Sequence, residues 1–274
     1  MSDPRLTPMN TRVAAAHLCD VPEGVRRVEG SARQVNQPVI DLLRSPEGKR
    51  DRQLLYGETL RVFEDRDGWA FVQADKDRYV GYLPADTLAP VTQATHWVSA
   101  PATHAYAKPD MKSPETASLS FASRMEVTEV TNGFTKTPLG FVPLVHLSGI
   151  NTLMSEPVTV AAGFLGTPYL WGGNSRFGID CSGLVQAGLL ACGIACPGDS
   201  DLQQAELGQA LPGGTPPERG DLLFWNGHVA WVADAQTILH ANAGHMAVAY
   251  EPLEAAITRI QTQGDGPVTA HKRL

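Results

Sequence analysis

The chain has no apolar run approaching the roughly 18 residues that a membrane-spanning helix requires, and nothing in it reads as a transmembrane segment. Its opening residues, Met-Ser-Asp-Pro-Arg-Leu-Thr-Pro-Met-Asn, lack the basic stretch, apolar core and small-residue cleavage site of a secretory leader. That leads to the expectation of a cytoplasmic protein. Positive charge is scarce as well: 22 Lys and Arg stand against 29 Asp and Glu, for a net charge of −7, with no basic block. Nucleic acid and anionic membrane surfaces are therefore poor candidates for the main partner, and a small zwitterion is a better one. Cysteine is sparse, with Cys19, Cys181, Cys192 and Cys196 in 274 residues, too few for a disulfide framework. Cys192 and Cys196 are four apart, but Gly193 intervenes and no companion ligands complete a site, so neither metal nor cofactor is expected. Nothing in the sequence sets an oligomeric state.

Against this background one stretch carries chemistry. Phe177-Gly-Ile-Asp-Cys-Ser-Gly-Leu-Val185 places Cys181 where a loop gives way to an apolar segment. Leu184, Val185, Leu189 and Leu190 recur at helical spacing, with Gly193 as a stop. Unpaired N–H groups and the positive end of the helix dipole favour S⁻ over SH at such a position. From this segment alone, a nucleophile and a buried structural cysteine are both open readings.

The second signal lies downstream, in Arg219-Gly-Asp-Leu-Leu-Phe-Trp225, Gly227-His-Val-Ala-Trp-Val232 and Ile238-Leu-His240. His228 and His240 fall on what read as adjacent strands, with Asp234 to Thr237 as the turn. A two-residue loop pairing Asp234 with Thr237 would send the two rings to opposite faces. An odd loop or a bulge, which the pattern predicts, would bring them to one face. His228 is then the candidate general base for Cys181 and His240 its orienter, with Asn242, of the same parity as His240, as the alternative. His245 follows Gly244 and is expected at a strand end, while His17, His96, His104 and His146 have no spacing to a partner.

The first 150 residues read as all-β, because short apolar runs between Leu54 and Leu88 are separated by turn formers such as Asp65 to Gly68. A second set runs from His104 to Leu147. Tyr79-Val-Gly-Tyr-Leu-Pro84 and Leu139-Gly-Phe-Val-Pro143 look like diverged copies of one closing strand. Two barrels are expected, with one irregular β domain as the alternative.

Gly166-Thr-Pro-Tyr-Leu-Trp-Gly-Gly173, Asp180-Cys-Ser-Gly183, Arg219-Gly-Asp-Leu222 and His228-Val-Ala230 together resemble the NlpC/P60 family of papain-like cysteine peptidases. The front end resembles bacterial SH3-like barrels. The resemblance implies an α+β fold in which a papain-like NlpC/P60 domain, residues 153–274, follows two small all-β SH3-like barrels. The first barrel with the N-terminal segment takes residues 1–92 and the second takes 93–152. It implies a Cys181, His228, His240 triad acting on cell-wall stem peptides. Two barrels before such a domain are similar to the γ-D-glutamyl-L-diamino acid endopeptidases, which cut murein peptides carrying a free N-terminal L-Ala. By that likeness Glu58, Tyr79 and Asp180 receive the free amine, and Ser182, Ser200, Tyr169 and Trp171 contact or wall the substrate. Gly198 stands where the family usually has an arginine. The substrate expected is a murein peptide, L-Ala-γ-D-Glu-diamino acid, met during recycling. Other readings are an amidase or acyltransferase on the same scaffold, or a non-catalytic wall-binding protein.

Overall fold

The computed structural model describes residues 3–274. The chain divides into two compact units, Met1–Thr152 and Leu153–Leu274. Among the described residues no helix is long and apolar enough to cross a membrane.

In the first unit, seven strands form one antiparallel sheet in the order Arg50–Leu55, Val39–Leu43, Val80–Pro84, Trp69–Ala74, Thr59–Arg66, Ser31–Val35 and Leu88–Ala89. Alternation along these strands buries Leu42, Leu54, Leu60, Val72 and Leu83 in a common core. The N-terminal residues pack on this barrel rather than standing apart from it. Val13–Ala15 pairs in parallel with Arg26–Val28, and Val13 and Ala15 close a second small core with Phe63, Phe71 and Val80. Residues 4–6 make a turn whose carbonyls accept from the Val80 amide and the Gln73 side chain.

Residues 96–149 form a three-stranded and a five-stranded sheet around a separate core of Val98, Ala105, Leu119, Met125 and Val142. The two closing strands are structural copies. Val80–Pro84 and Gly140–Pro143 each run into a 3₁₀ turn, Ala85–Thr87 and Leu144–His146, and then into a short strand. Tyr56 joins the second core from the end of a first-barrel strand, and its carbonyl accepts from Arg124 N at 2.8 Å. Gly57 is required at this joint: its φ is +76°, and a Cβ there would lie 2.0 Å from the Arg124 carbonyl oxygen.

The second unit has four helices, α1 Pro157–Ala162, α2 Cys181–Ala191, α3 Ser200–Glu206 and α4 Leu253–Gln263. They accompany a six-stranded antiparallel sheet, in the order Gln209–Ala210, Ala270–Arg273, Leu222–Trp225, His228–Asp234, Thr237–Asn242 and Ala247–Pro252. Helix α2 packs on two neighbouring strands, His228–Asp234 and Thr237–Asn242, where its small Gly188 meets Trp231. The helix ends as the sequence suggests, with Cys192 as its cap and Gly193 left-handed at φ +77°. Helix α4 covers Leu223, Trp225, Ala230, Val232 and Ile238 with Leu253, Ala256 and Ile260.

The C-terminal strand is tied down by charge. Asp221, buried at the start of its strand, accepts from His271 Nε2 at 2.7 Å, Arg273 Nε at 2.7 Å and Glu218 N at 2.9 Å. Burial alone would raise this carboxyl, but the Arg273 guanidinium, the Glu218 amide and His271 outweigh it and hold it down to about 2.

Candidate active site

The histidine strands meet with a two-residue turn and a bulge together. Asp234 pairs with Thr237, after which the register shifts so that Val232 faces Ile238 and Trp231 faces Leu239. The extra residue is Ala233. By this register His240 stands opposite Ala230, on the face that His228 shares. The rings meet: His228 Nε2 lies 2.9 Å from His240 Nδ1, with centroids 5.1 Å apart. The partner is therefore His240 rather than Asn242, whose Oδ1 accepts from the backbone N–H and ring of His245 instead. His245 sits in the exposed turn after the strand rather than at its end.

The chain of contacts continues beyond what sequence reasoning found. His240 Nε2 lies 3.0 Å from Glu251 Oε2, and Arg259 of α4 grips both carboxylate oxygens, Nε to Oε1 at 2.9 Å and Nη2 to Oε2 at 2.7 Å. The signal was present. In Ala247–Pro252, Ala249 pairs with His240, so Glu251 is of the parity that faces the buried ring, an unusual place for a charge. Burial drives both imidazoles below their ordinary value, His228 to about 3, with help from its neighbour His240, and His240 to about 4. The Arg259 hydrogen bonds hold the Glu251 carboxyl low. His240, His245 and Glu251 bring possible ligand atoms within 4.8 Å of one another. The Glu251 oxygens, however, are engaged by Arg259 and His240, so the cluster reads as a hydrogen-bond network.

Cys181 is the first residue of α2, and Asp180 is its N-cap. The Asp180 carboxylate accepts from Gly183 N at 2.6 Å and Ser182 Oγ at 3.0 Å on Oδ1, and from Gly172 N at 2.9 Å on Oδ2. Asp180 N in turn donates to the Gly173 carbonyl at 3.2 Å. Two motifs eight residues apart are thus locked into one turn. Glycine is needed at position 183 because a Cβ would come within 2.5 Å of the Gly173 oxygen. From below, Gln203 of α3 donates to the Ser182 carbonyl at 2.9 Å and the Pro197 carbonyl at 3.0 Å. Gln186 spans Asn174 and the Cys196 carbonyl. All four cysteines are thiols. Cys196 lies past the end of α2, its sulfur 3.4 Å from Gln203 Nε2.

The remaining candidates fall in different places. Tyr169 is close to the thiol: burial, then the charges of Cys181 and Asp180, raise its phenol. Trp171 stands 70% exposed beside buried Gly172. The Ser182 hydroxyl is directed to the Asp180 carboxylate and serves the cap. Ser200 opens α3, half-buried, after the buried Gly198. Glu58 and Tyr79 belong to the other unit. There Glu58 is buried, with Oε1 on Lys76 Nζ at 2.9 Å and Oε2 on Leu55 N at 3.1 Å. Tyr79 packs among Val35, Leu42 and Leu83 in the barrel core.

Comparison with known proteins agrees with this layout. Residues 166–264 match the NlpC/P60 family and residues 42–88 match the bacterial dipeptidyl-peptidase SH3 domain. The chain is 31% identical over 194 residues to gamma-D-glutamyl-L-lysine dipeptidyl-peptidase of Bacillus subtilis, covering 63% of each chain. It is 36% identical over 87 residues to dipeptidyl-peptidase 6 of Lysinibacillus sphaericus, 32% of each. The match thus spans less than two thirds of these relatives. Among solved structures, an NlpC/P60 family protein from Bacillus cereus superposes with a TM-score of 0.73 at 19% identity, covering 89% of this chain and 99% of that one. That likeness is one of fold. Residues 166–264 are thus similar to the NlpC/P60 family and follow a stretch, residues 42–88, similar to the bacterial dipeptidyl-peptidase SH3 domain.

Proposed function

We propose that the chain is a cysteine peptidase that hydrolyses the γ-D-Glu–diamino acid bond of murein peptides bearing a free N-terminal L-Ala. The observation that carries the reading is a cysteine on a capped helix N-terminus, in one compact unit with a histidine pair anchored by a buried carboxylate. His228 Nε2 is occupied by His240, which leaves Nδ1 to take the Cys181 proton. The thiolate attacks the γ-carbonyl carbon, and the Cys181 backbone N–H receives the developing oxyanion. The imidazolium then protonates the departing amine of the diamino acid, leaving a thioester. Water, deprotonated by His228, releases L-Ala-D-Glu and restores the thiol.

The bond and the free amine are the finer part of the proposal. They draw on the names of the Bacillus subtilis and Lysinibacillus sphaericus relatives and on the carboxylate of Asp180 next to the nucleophile. Glu58 and Tyr79 are assigned to the amine by resemblance, and the Lys76 pairing requires Glu58 to share its charge. The proposed setting is the cytoplasm, in recycling of imported wall peptides, which cell fractionation tests directly. For the chemistry, L-Ala-γ-D-Glu-meso-diaminopimelate and its L-Lys counterpart are incubated beside their N-acetyl forms, with wild type and Cys181→Ala. Diamino acid released only from free-amine peptides, and only by wild type, supports the reading. Equal cleavage of acetylated peptides removes the amine requirement, and activity surviving in Cys181→Ala removes the nucleophile.

A further inference from the structure

We propose that Glu251, clamped by Arg259, is a positioning residue that sets the tautomers of both histidines and so presents a lone pair on His228 Nδ1 to the thiol. The inference rests on the peptidase reading above and adds two residues to it.

The proton assignments start at the guanidinium. Arg259 donates to both Glu251 oxygens, the bidentate geometry that favours an ionised carboxylate. An ionised carboxylate only accepts hydrogen bonds, so the 3.0 Å contact at Oε2 requires a proton on His240 Nε2. His240 is fully buried, where a neutral ring carrying one proton is favoured, and Nδ1 is then a lone pair. The 2.9 Å contact from that lone pair to His228 Nε2 requires the His228 proton on Nε2. In a neutral ring Nδ1 is left as the acceptor. Each assignment forces the next, and the sequence starts at Glu251.

The charged and titratable groups around His240 are few: His228 on the neighbouring strand, Glu251 on the other, His245 in the turn and Arg259 on α4. Arg259 Nη1 is held in turn by Gln263 at 2.7 Å. Reversal of the tautomers would put an N–H on His228 Nδ1, where it could not take a proton. Loss of an orienting acceptor that fixes an imidazole tautomer costs about 10⁴-fold in a serine protease triad, and loss of the partner that orients a metal-binding histidine about 10- to 100-fold.

The test uses the full chain and two readouts. Glu251→Ala removes the acceptor, while Glu251→Gln keeps an oxygen for His240 without charge. In Glu251→Ala, kcat is expected to fall roughly a hundredfold with KM little changed, and Glu251→Gln is expected to recover about tenfold of that. The second readout needs no substrate: the pH dependence of Cys181 alkylation by iodoacetamide, resolved from the other cysteines by mass spectrometry. Its midpoint should move up in Glu251→Ala. A folded Glu251→Ala that keeps both the wild-type kcat and the wild-type alkylation profile overturns the proposal. If the substrate reading is wrong, the alkylation shift still appears, so the two failures are distinguishable. Should Glu251→Ala not fold, ¹⁵N-histidine NMR of the Cys181→Ala chain decides. A proton on His228 Nε2 supports the proposal and one on Nδ1 overturns it.

Discussion

Replacing Asp180 separates what the residue does for the fold from what it does to the thiol, because the two effects have opposite signs. In Asp180→Ala the Gly183 amide loses its cap, a change worth about 0.5–2 kcal/mol. The buried Gly172 amide is left without its 2.9 Å acceptor, which costs about 1–3 kcal/mol. The sum is about 1.5–5 kcal/mol. Asp180→Asn keeps Oδ1 for Gly183 and Ser182 but turns an amide nitrogen toward Gly172 N–H, so only the second loss applies, about 1–3 kcal/mol. Urea unfolding, with hydrogen exchange at Gly172 and Gly183 to locate the loss, should rank wild type above Asn and Asn above Ala. The thiol should move the other way. A carboxylate one residue from Cys181 opposes the thiolate, so in Asp180→Asn iodoacetamide should alkylate Cys181 faster at neutral pH although the protein is less stable. An Asn variant as stable as wild type, with unchanged exchange at Gly172, would refute the capping account. Slower alkylation would mean that helix geometry outweighs the neighbouring charge.

Other expectations follow from the same geometry. Gly183→Ala forces a Cβ to 2.5 Å from the Gly173 carbonyl. It should cost about 1–3 kcal/mol in urea unfolding and displace the nucleophile enough to abolish peptide cleavage. Gly57→Ala, at φ +76° and 2.0 Å from the Arg124 carbonyl, should lower the melting temperature of the first unit while exchange in the second unit stays unchanged. His240 titrates at about 4 when folded and near 6.5 when unfolded. Between those values only the unfolded chain takes up the proton, so stability is complete above pH 6.5 and lost on acidification. The slope is up to about 1.4 kcal/mol per pH unit, measurable as the urea midpoint of the second unit, and a midpoint that rose on acidification would contradict it. Asp221→Asn should speed amide exchange along Ala270–Arg273, since four donors, three of them from that strand, converge on one carboxylate.

The parts of the site that were legible in sequence are those whose chemistry is local. Cys181 announces itself through its place before an apolar helix, and His228 and His240 through strand parity, down to the irregularity that their spacing demands. The all-β front end and its repeated closing strand were legible for the same reason, since alternation and turn residues lie side by side in the chain. Glu251 and Arg259 were missed because they work across strands and onto a helix. Glu251 lies 11 residues beyond His240 and Arg259 a further 8, and the register and helix packing that join them are tertiary. Ser182 and Asp180 were both visible, but the bond from the Gly172 amide that ties Asp180 to the preceding turn was not. The Lys76 partner of Glu58, 18 residues on, was hidden in the same way.

Ala233 contributes almost nothing through its side chain, yet the site depends on it as a unit of length. Because the turn at Asp234–Thr237 spans two residues, a regular ladder would let only histidines an odd number of positions apart share a face. His228 and His240 are separated by an even number. Straightening the bulge with every residue in place would divide the base from its partner across the thickness of the sheet, whereas deleting Ala233 makes the interval odd as it removes the bulge and leaves both rings on one face. Any chain of this design must keep the parity of that interval and the bulge together, or change both at once.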